Sequence, residues 1–177
     1  MYNDLKLLRG ESLKKNIVLV SLNDFLRRET AKVLAKKKKM NYVDVDELLD
    51  FELISRKQVR LKCGDEFLKK LERKCIQKVS EYENCIASVS TDIFLANDNR
   101  DYFENFSIFY LATEIRSIDL SQVKNKEEKD ALSENEEIFS HINDYLIATC
   151  EHVIHEADCL EIDDIASKII LTLKNKK

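Results

Sequence analysis

Proline is absent from this chain, and only two of its 177 residues are glycine, Gly10 and Gly64; average usage would supply roughly 12 glycines and 9 prolines over such a length. Collagen-like repeats, Gly/Ser linkers, Pro-rich ligands and any intact phosphate loop of the GxxxxGK[ST] type are thereby excluded. No run approaches the roughly 20 apolar residues that span a bilayer, and the N-terminus is too polar for a signal peptide. The expectation is a cytoplasmic protein without a membrane partner. There is no CxxC pair, and five cysteines make an odd number, so a disulfide framework is not expected and most of the cysteines read as small buried hydrophobes. An excess of positive charge is missing too. Lys plus Arg number 29 against 33 Asp plus Glu, a net charge of −4, which leaves no domain-wide footprint for nucleic acid.

What is present is the composition of a globular domain, with 44% apolar and 35% charged residues. The length suits one domain over residues 1–177. Along the chain, β-branched apolar runs alternate with helical patterns. NIVLVS predicts a strand over 16–21. From Asn23 or Asp24, a fair N-cap, Phe25, Leu26, Ala31, Val33, Leu34 and Ala35 predict a helix ending in the lysines 36–39, a run that suits a solvated helix C-terminus. MNYVDVD predicts a second strand near 42–44, followed by helices from Glu47 to about Lys62 and from Asp65 to about Tyr82. Strands near 85–88 and 106–111 are separated by a short helical connection. A polar stretch over about 113–133 reads as a lid, and a helix from about Glu134 to Thr149 follows. A fifth strand at 152–154 and a helix over Ile162 to Leu173 close the chain, with residues 1–15 left as an N-terminal extension. Such alternation argues for an α/β fold, a parallel sheet with helices on both faces. Cys150, His152, His155 and Cys159 have residue types that suit zinc, but strand alternation sends the two histidines to opposite faces and argues against a metal site.

The order of elements and several strings resemble shikimate kinase, a small P-loop phosphotransferase. In that family the first strand runs into GFMGSGKST, and the second ends in D-x-D before an acidic helix. Here NIVLVSLNDFLRRETAKVLAKKKKMNYVDVDELLD keeps that spacing without a gap, and GDEFLKKLE from Gly64 to Glu72 parallels the family's G-E-x-x-F-R-x-x-E. CIASVST stands where the family has a strand ending in three glycines, and the tail from EEIFSHINDYLIATC onward matches its last helix, strand and closing helix. The resemblance implies a three-layer αβα sandwich with a five-stranded parallel sheet in the order 2-3-1-4-5.

The departures fall where the reaction would take place. Ser21, Asp24 and Leu26 occupy the three glycine positions of the phosphate loop, Arg27 replaces its lysine, and Arg28 stands at the magnesium-binding hydroxyl. Were φ positive at those glycine positions, side chains there would cost on the order of 1–2 kcal/mol each, so the loop is expected to take another shape. On the acceptor side the resemblance assigns Asp46 to the substrate hydroxyls and the transferred proton, Asp44 to the magnesium, and Lys69 to the carboxylate-binding arginine. The alternative for Asp44 and Asp46 is a solvated strand-end turn capping the next helix. Beyond Arg116 the chain contains no arginine, so the family's lid arginine and the carboxylate-binding arginine expected near Asn143 have no counterpart.

Phosphoryl transfer depends almost wholly on positioning and electrostatics, and these losses together imply an inactive homologue that keeps the fold for ligand or partner binding, with no cofactor. A retained small ligand would be a hydroxylated carboxylate held by Asp46 and Lys69. The rival expectation is an active or weakly active shikimate kinase whose rebuilt loop holds ATP and Mg through Arg27 and Arg28, with Asp46 as catalytic residue and Asp44 at the metal.

Overall fold

The computed structural model describes residues 16–52, 56–96, 98–113, 126–159 and 161–175. Five strands form one sheet: β1 (Ile17–Ser21), β2 (Asn41–Asp44), β3 (Cys85–Ser90), β4 (Ser107–Ala112) and β5 (His152–His155). Their order is β2-β3-β1-β4-β5 and every pairing is parallel. The helices are α1 (Asp24–Lys38), α2 (Val45–Glu52), α3 (Arg56–Cys63), α4 (Asp65–Ser80), α5 (Thr91–Leu95), α6 (Lys126–Thr149) and α7 (Ile162–Lys174). Short 3-10 turns cover Asn99–Phe103 and Glu156–Asp158.

Alternation along the buried central strand creates two cores. Ile17 and Leu19 of β1 face α1 and α7, packing with Leu26, Leu34, Phe109, Ile165 and Ile169. Val18 and Val20 face the other way, into a core shared with Leu49 of α2, Leu68, Ile76 and Val79 of α4, and Phe94 and Phe106. The i, i+3, i+4, i+7 spacing of Ile162, Ile165, Ala166 and Ile169 puts one apolar stripe of α7 against the sheet. Layered packing of this kind is what strands buried on both faces require. Among the described residues no helix is long and apolar enough to cross a membrane.

The strands lie within a residue or two of their expected positions, whereas three helical boundaries differ. The helix expected from Glu47 to Lys62 is two helices, α2 and α3. The first begins at Val45 because the Asp44 carboxylate accepts from the Glu47 amide at 2.9 Å, capping it two residues earlier than the polarity pattern suggests. The apolar face of α2 does not continue, since α3 has no buried residue. Helix α6 begins at Lys126 rather than near Glu134, consistent with the strong helix formers in KEEKDALSENEE. The later part of the expected lid is therefore helical. Residues 114–125 of that segment, and the extension 1–15, lie outside the described residues.

Gly64 joins α3 to α4 at φ 84, a conformation that glycine adopts without steric cost. Lys39 terminates α1 at φ 53, where its amide reaches back to the carbonyls of Ala35 and Lys36. His152 is buried and His155 exposed, as alternation predicts. Among the described residues no group of three or more His, Cys, Asp or Glu side chains could hold a metal ion.

Candidate functional site

In parallel α/β sheets the ligand crevice lies beyond the C-terminal ends of the strands. Here those ends bring together β1–α1, the Asp44–Asp46 turn and the end of β3. Strand β1 stops at Ser21 and α1 starts at Asp24, so only Leu22 and Asn23 connect them. Asn23 is the N-cap: its side chain accepts from the Leu26 amide at 3.0 Å, and its carbonyl accepts from the Arg27 amide at 3.0 Å. The Ser21 hydroxyl accepts from the Asn23 amide at 3.1 Å and donates to the Leu111 carbonyl at 2.8 Å, fixing the connection to β4. Asp24, Leu26 and Arg27 are helical, as the expected N-cap at Asn23 implies, so the segment is not an open loop. Among the described residues the non-glycine positions with positive φ are Lys39, Asn84 and Asp98, so the strain that glycine would relieve does not arise at Ser21, Asp24 or Leu26. Without glycine, the sequence takes the helix that Asn23 can cap.

That extra helical turn aims Arg27 inward. Its side chain is 0% exposed. Nη1 donates to Ser88 Oγ at 2.8 Å and to Asp46 Oδ2 at 3.2 Å, while Nη2 donates to Asp24 Oδ1 at 2.8 Å. Asp44 Oδ2 lies 3.9 Å from Nη1. Arg28, half-exposed, sets Nε 3.2 Å from Asp44 Oδ2 and Nη1 3.5 Å from Glu47 Oε1. Burial works against its charge, yet Asp44 and Glu47 outweigh that and raise its pKa above the ordinary value. Both loop arginines therefore turn onto the acids of the β2–α2 turn.

Asp46 is the hub. Oδ1 accepts from Ser90 Oγ at 2.7 Å and from Arg56 Nη2 at 3.0 Å, and Oδ2 accepts from the Ser90 amide at 3.1 Å and from Arg27 at 3.2 Å. A carboxylate has about four lone-pair sites, and all four are taken. Burial disfavours the charge, but the Ser90 hydrogen bond and the Arg27 and Arg56 guanidiniums override it and hold the carboxyl below the usual aspartate value. Asp44 differs in role. It caps α2 and accepts from the Tyr42 hydroxyl at 3.1 Å. The capping alternative thus describes Asp44, with the turn buried rather than solvated, while Asp46 belongs to an ionic network.

Arg56 was not singled out from the sequence. It stands at the first position of α3, its Nε 3.2 Å from Asp50 Oδ1; the single helix expected from Glu47 to Lys62 gave no sign that its guanidinium meets Asp46. Lys69, expected to share a ligand with Asp46, instead meets Glu66 one turn earlier on α4 at 3.2 Å and is 45% exposed. Near Arg56, burial pushes the Glu72 carboxyl up while Arg56 pulls it down. Where three glycines were looked for, Val89 is core and Ser90 supplies both donors to Asp46.

The depressed Asp46 pKa links stability to pH. Because the folded value lies below the unfolded one, near 3.9, the carboxylate stabilises the fold fully above the unfolded value, and that contribution disappears as pH falls through the folded one. Urea midpoints measured from about pH 5 down to about pH 2 should fall more steeply for the unmodified protein than for Asp46→Asn. Equal slopes would remove Asp46 from the linkage.

Comparison with known proteins agrees with this architecture. A family model described as shikimate kinase matches residues 28–174. A shikimate kinase from Sulfurihydrogenibium sp. (strain YO3AOP1) is 25% identical over 122 residues, 68% of this chain and 73% of that protein. Among solved structures, shikimate kinase from Acinetobacter baumannii in complex with shikimate superposes with a TM-score of 0.68 at 19% identity, covering 92% of this chain and 94% of that one. Shikimate kinase from Bacteroides thetaiotaomicron gives 0.69 at 17% identity, with 90% and 98% covered. Dephospho-CoA kinase from Campylobacter jejuni has the same fold more distantly, with a TM-score of 0.59 at 11% identity, covering 92% of this chain and 99% of that one. With the family model spanning most of the sequence and the sheet order in agreement, the chain belongs to the shikimate kinase family.

Proposed function

We propose that this family member has lost phosphoryl transfer and retains the fold for binding a partner. The observation that carries the reading is Arg27, wholly buried and bonded at once to Asp24, Asp46 and Ser88. A phosphate loop works by curling free backbone amides around an anion, with a cation aimed at it and a hydroxyl on magnesium. Here the Asn23 and Leu26 amides are bonded to side chains, and the Arg27 amide to the Asn23 carbonyl. Asp24 adds negative charge at the helix start. The residues present therefore do not fit ATP and Mg: Arg28 has no hydroxyl to offer, and Arg27 is the cation between Asp44 and Asp46.

The acceptor half follows the same logic. A hydroxylated carboxylate would have to displace a donor from Asp46, whose four acceptor sites are filled, and Lys69 is engaged with Glu66 on an exposed face. A partner macromolecule suits the fold better than either substrate. Calorimetric titration with ATP–Mg and with shikimate, each alone, should release no binding heat. ATP affinity in the low micromolar range or tighter would contradict the reading and favour a kinase with a rebuilt loop.

A further inference from the structure

The charge of this chain is divided between two surfaces. Residues 56–80, which make up α3 and α4, hold nine Lys or Arg against three Asp or Glu, in a protein whose net charge is −4. On α4, Phe67, Lys70, Lys74 and Lys78 follow at i, i+3, i+7 and i+11 and share one exposed stripe. On α3, Lys57 and Leu61 stand one turn apart, both exposed. Leu61 is 76% and Phe67 47% exposed, so the basic plate carries two apolar knobs.

The opposite sign collects at the other edge of the sheet. Residues 151–164, from the end of α6 through β5 to the first turn of α7, hold six Asp or Glu and no Lys or Arg. Within this acidic edge, between the start of α1 and the start of α7, lies a cavity of about 590 Å³. Leu26, Ile162 and Ile165 line it with apolar surface, and Phe25, Glu156 and Asp163 also border it. Phe25 is 70% exposed. Lys37 pairs with Asp163 at 2.6 Å and offsets part of the negative charge.

We propose that a second copy of this chain docks here, the basic α3–α4 plate of one molecule seating on the acidic, apolar-lined cavity of the next. Charge and shape chemistry match in kind: cations with apolar knobs on one side, carboxylates around an apolar hollow on the other. The two surfaces cannot satisfy each other within one molecule. The plate belongs to the α2–α4 face of the sheet, whereas the cavity lies between α1 and α7 on the opposite face. The contact is therefore heterologous, head to tail, and builds chains or a ring rather than a two-fold dimer. The proposal rests on the partner-binding part of the proposed function, and its readout succeeds or fails independently of turnover.

Sedimentation velocity over a concentration series tests it. The full chain should self-associate at about 50 mM salt, with the association at least about tenfold weaker at about 500 mM, because screening weakens charge-steered contacts. Lys70→Glu/Lys74→Glu should sediment as a monomer, as should Glu156→Lys/Asp163→Lys, which leaves the Glu161–Asp164 capping box of α7 in place. Unchanged thermal midpoints would show that both variants fold. An equimolar mixture of the two variants should associate again, since each supplies the surface that the other lacks. A monomer at every salt and concentration, or association indifferent to either variant, would overturn the proposal. So would binding of the plate to anionic vesicles or to duplex DNA without self-association.

Discussion

Replacing Arg27 with alanine is expected to destabilise the fold by about 3–5 kcal/mol, the scale of removing one partner from a buried ion pair. The loss goes beyond a hydrogen-bond count. Asp46, 10% exposed, keeps Arg56 and Ser90 but loses the guanidinium facing Oδ2, and Ser88, 0% exposed, loses one of its partners in the core. Urea unfolding should show a lower midpoint at unchanged slope, since the surface exposed on unfolding is the same. Arg27→Lys should recover only part of the stability, because an ammonium keeps the charge and loses the fork that spans Asp24, Asp46 and Ser88. Arg27→Met/Asp46→Asn should be less destabilised than the two single changes summed, as neither charge is then left without the other. In an active family member the loop lysine serves the nucleotide, and its removal is a catalytic lesion; here the residue at that position belongs to the core. A loss under about 1 kcal/mol, the range of exposed ion pairs, would mean that Arg27 is not the structural cation described above.

The fold was legible because its signals are redundant. IVLVS, CIASVS and SIFYLA are buried strands of the right length with helical patterns between them, and the spacing into DVDELLD placed Asp44 and Asp46 at a strand end. Less could be read where one residue's conformation decides the outcome. Substitution of the loop glycines announced that the phosphate loop would change shape and Asn23 read as a fair N-cap, but the partners of the Arg27 side chain depend on how that first helical turn aims it. Once that turn is helical, the direction of Arg27 follows. Arg56 was hidden for a related reason, since the helical pattern reads continuously from α2 into α3 and nothing in it marks a residue ten positions on as a partner of Asp46. Lys69 shows the limit of a positional match: the resemblance sets it at the family's arginine position, yet its ammonium pairs with Glu66 on an exposed face.

The second large effect concerns rate. One arginine that stabilises a transferring phosphoryl group is worth about 10³–10⁵ in turnover, roughly 4–7 kcal/mol. This chain has no GxxxxGK[ST] string and no arginine beyond Arg116, and it commits Arg27 to Asp46. These parts act together on one transition state, so their combined loss should leave nothing measurable. Ser21→Gly/Asp24→Gly/Leu26→Gly/Arg27→Lys/Arg28→Ser should regain some ATP binding by freeing the backbone amides, at a cost in stability, without regaining much catalysis. The acceptor-side arginines would still be missing.

Product formation by the unmodified protein bears most directly on the central claim. Purified chain supplied with ATP, magnesium and shikimate, followed by phosphorus NMR against an enzyme-free blank, is predicted to show no transfer above the blank. Turnover at the ordinary kinase scale of about 1–100 per second would contradict the account and make Arg27 part of a rebuilt active site.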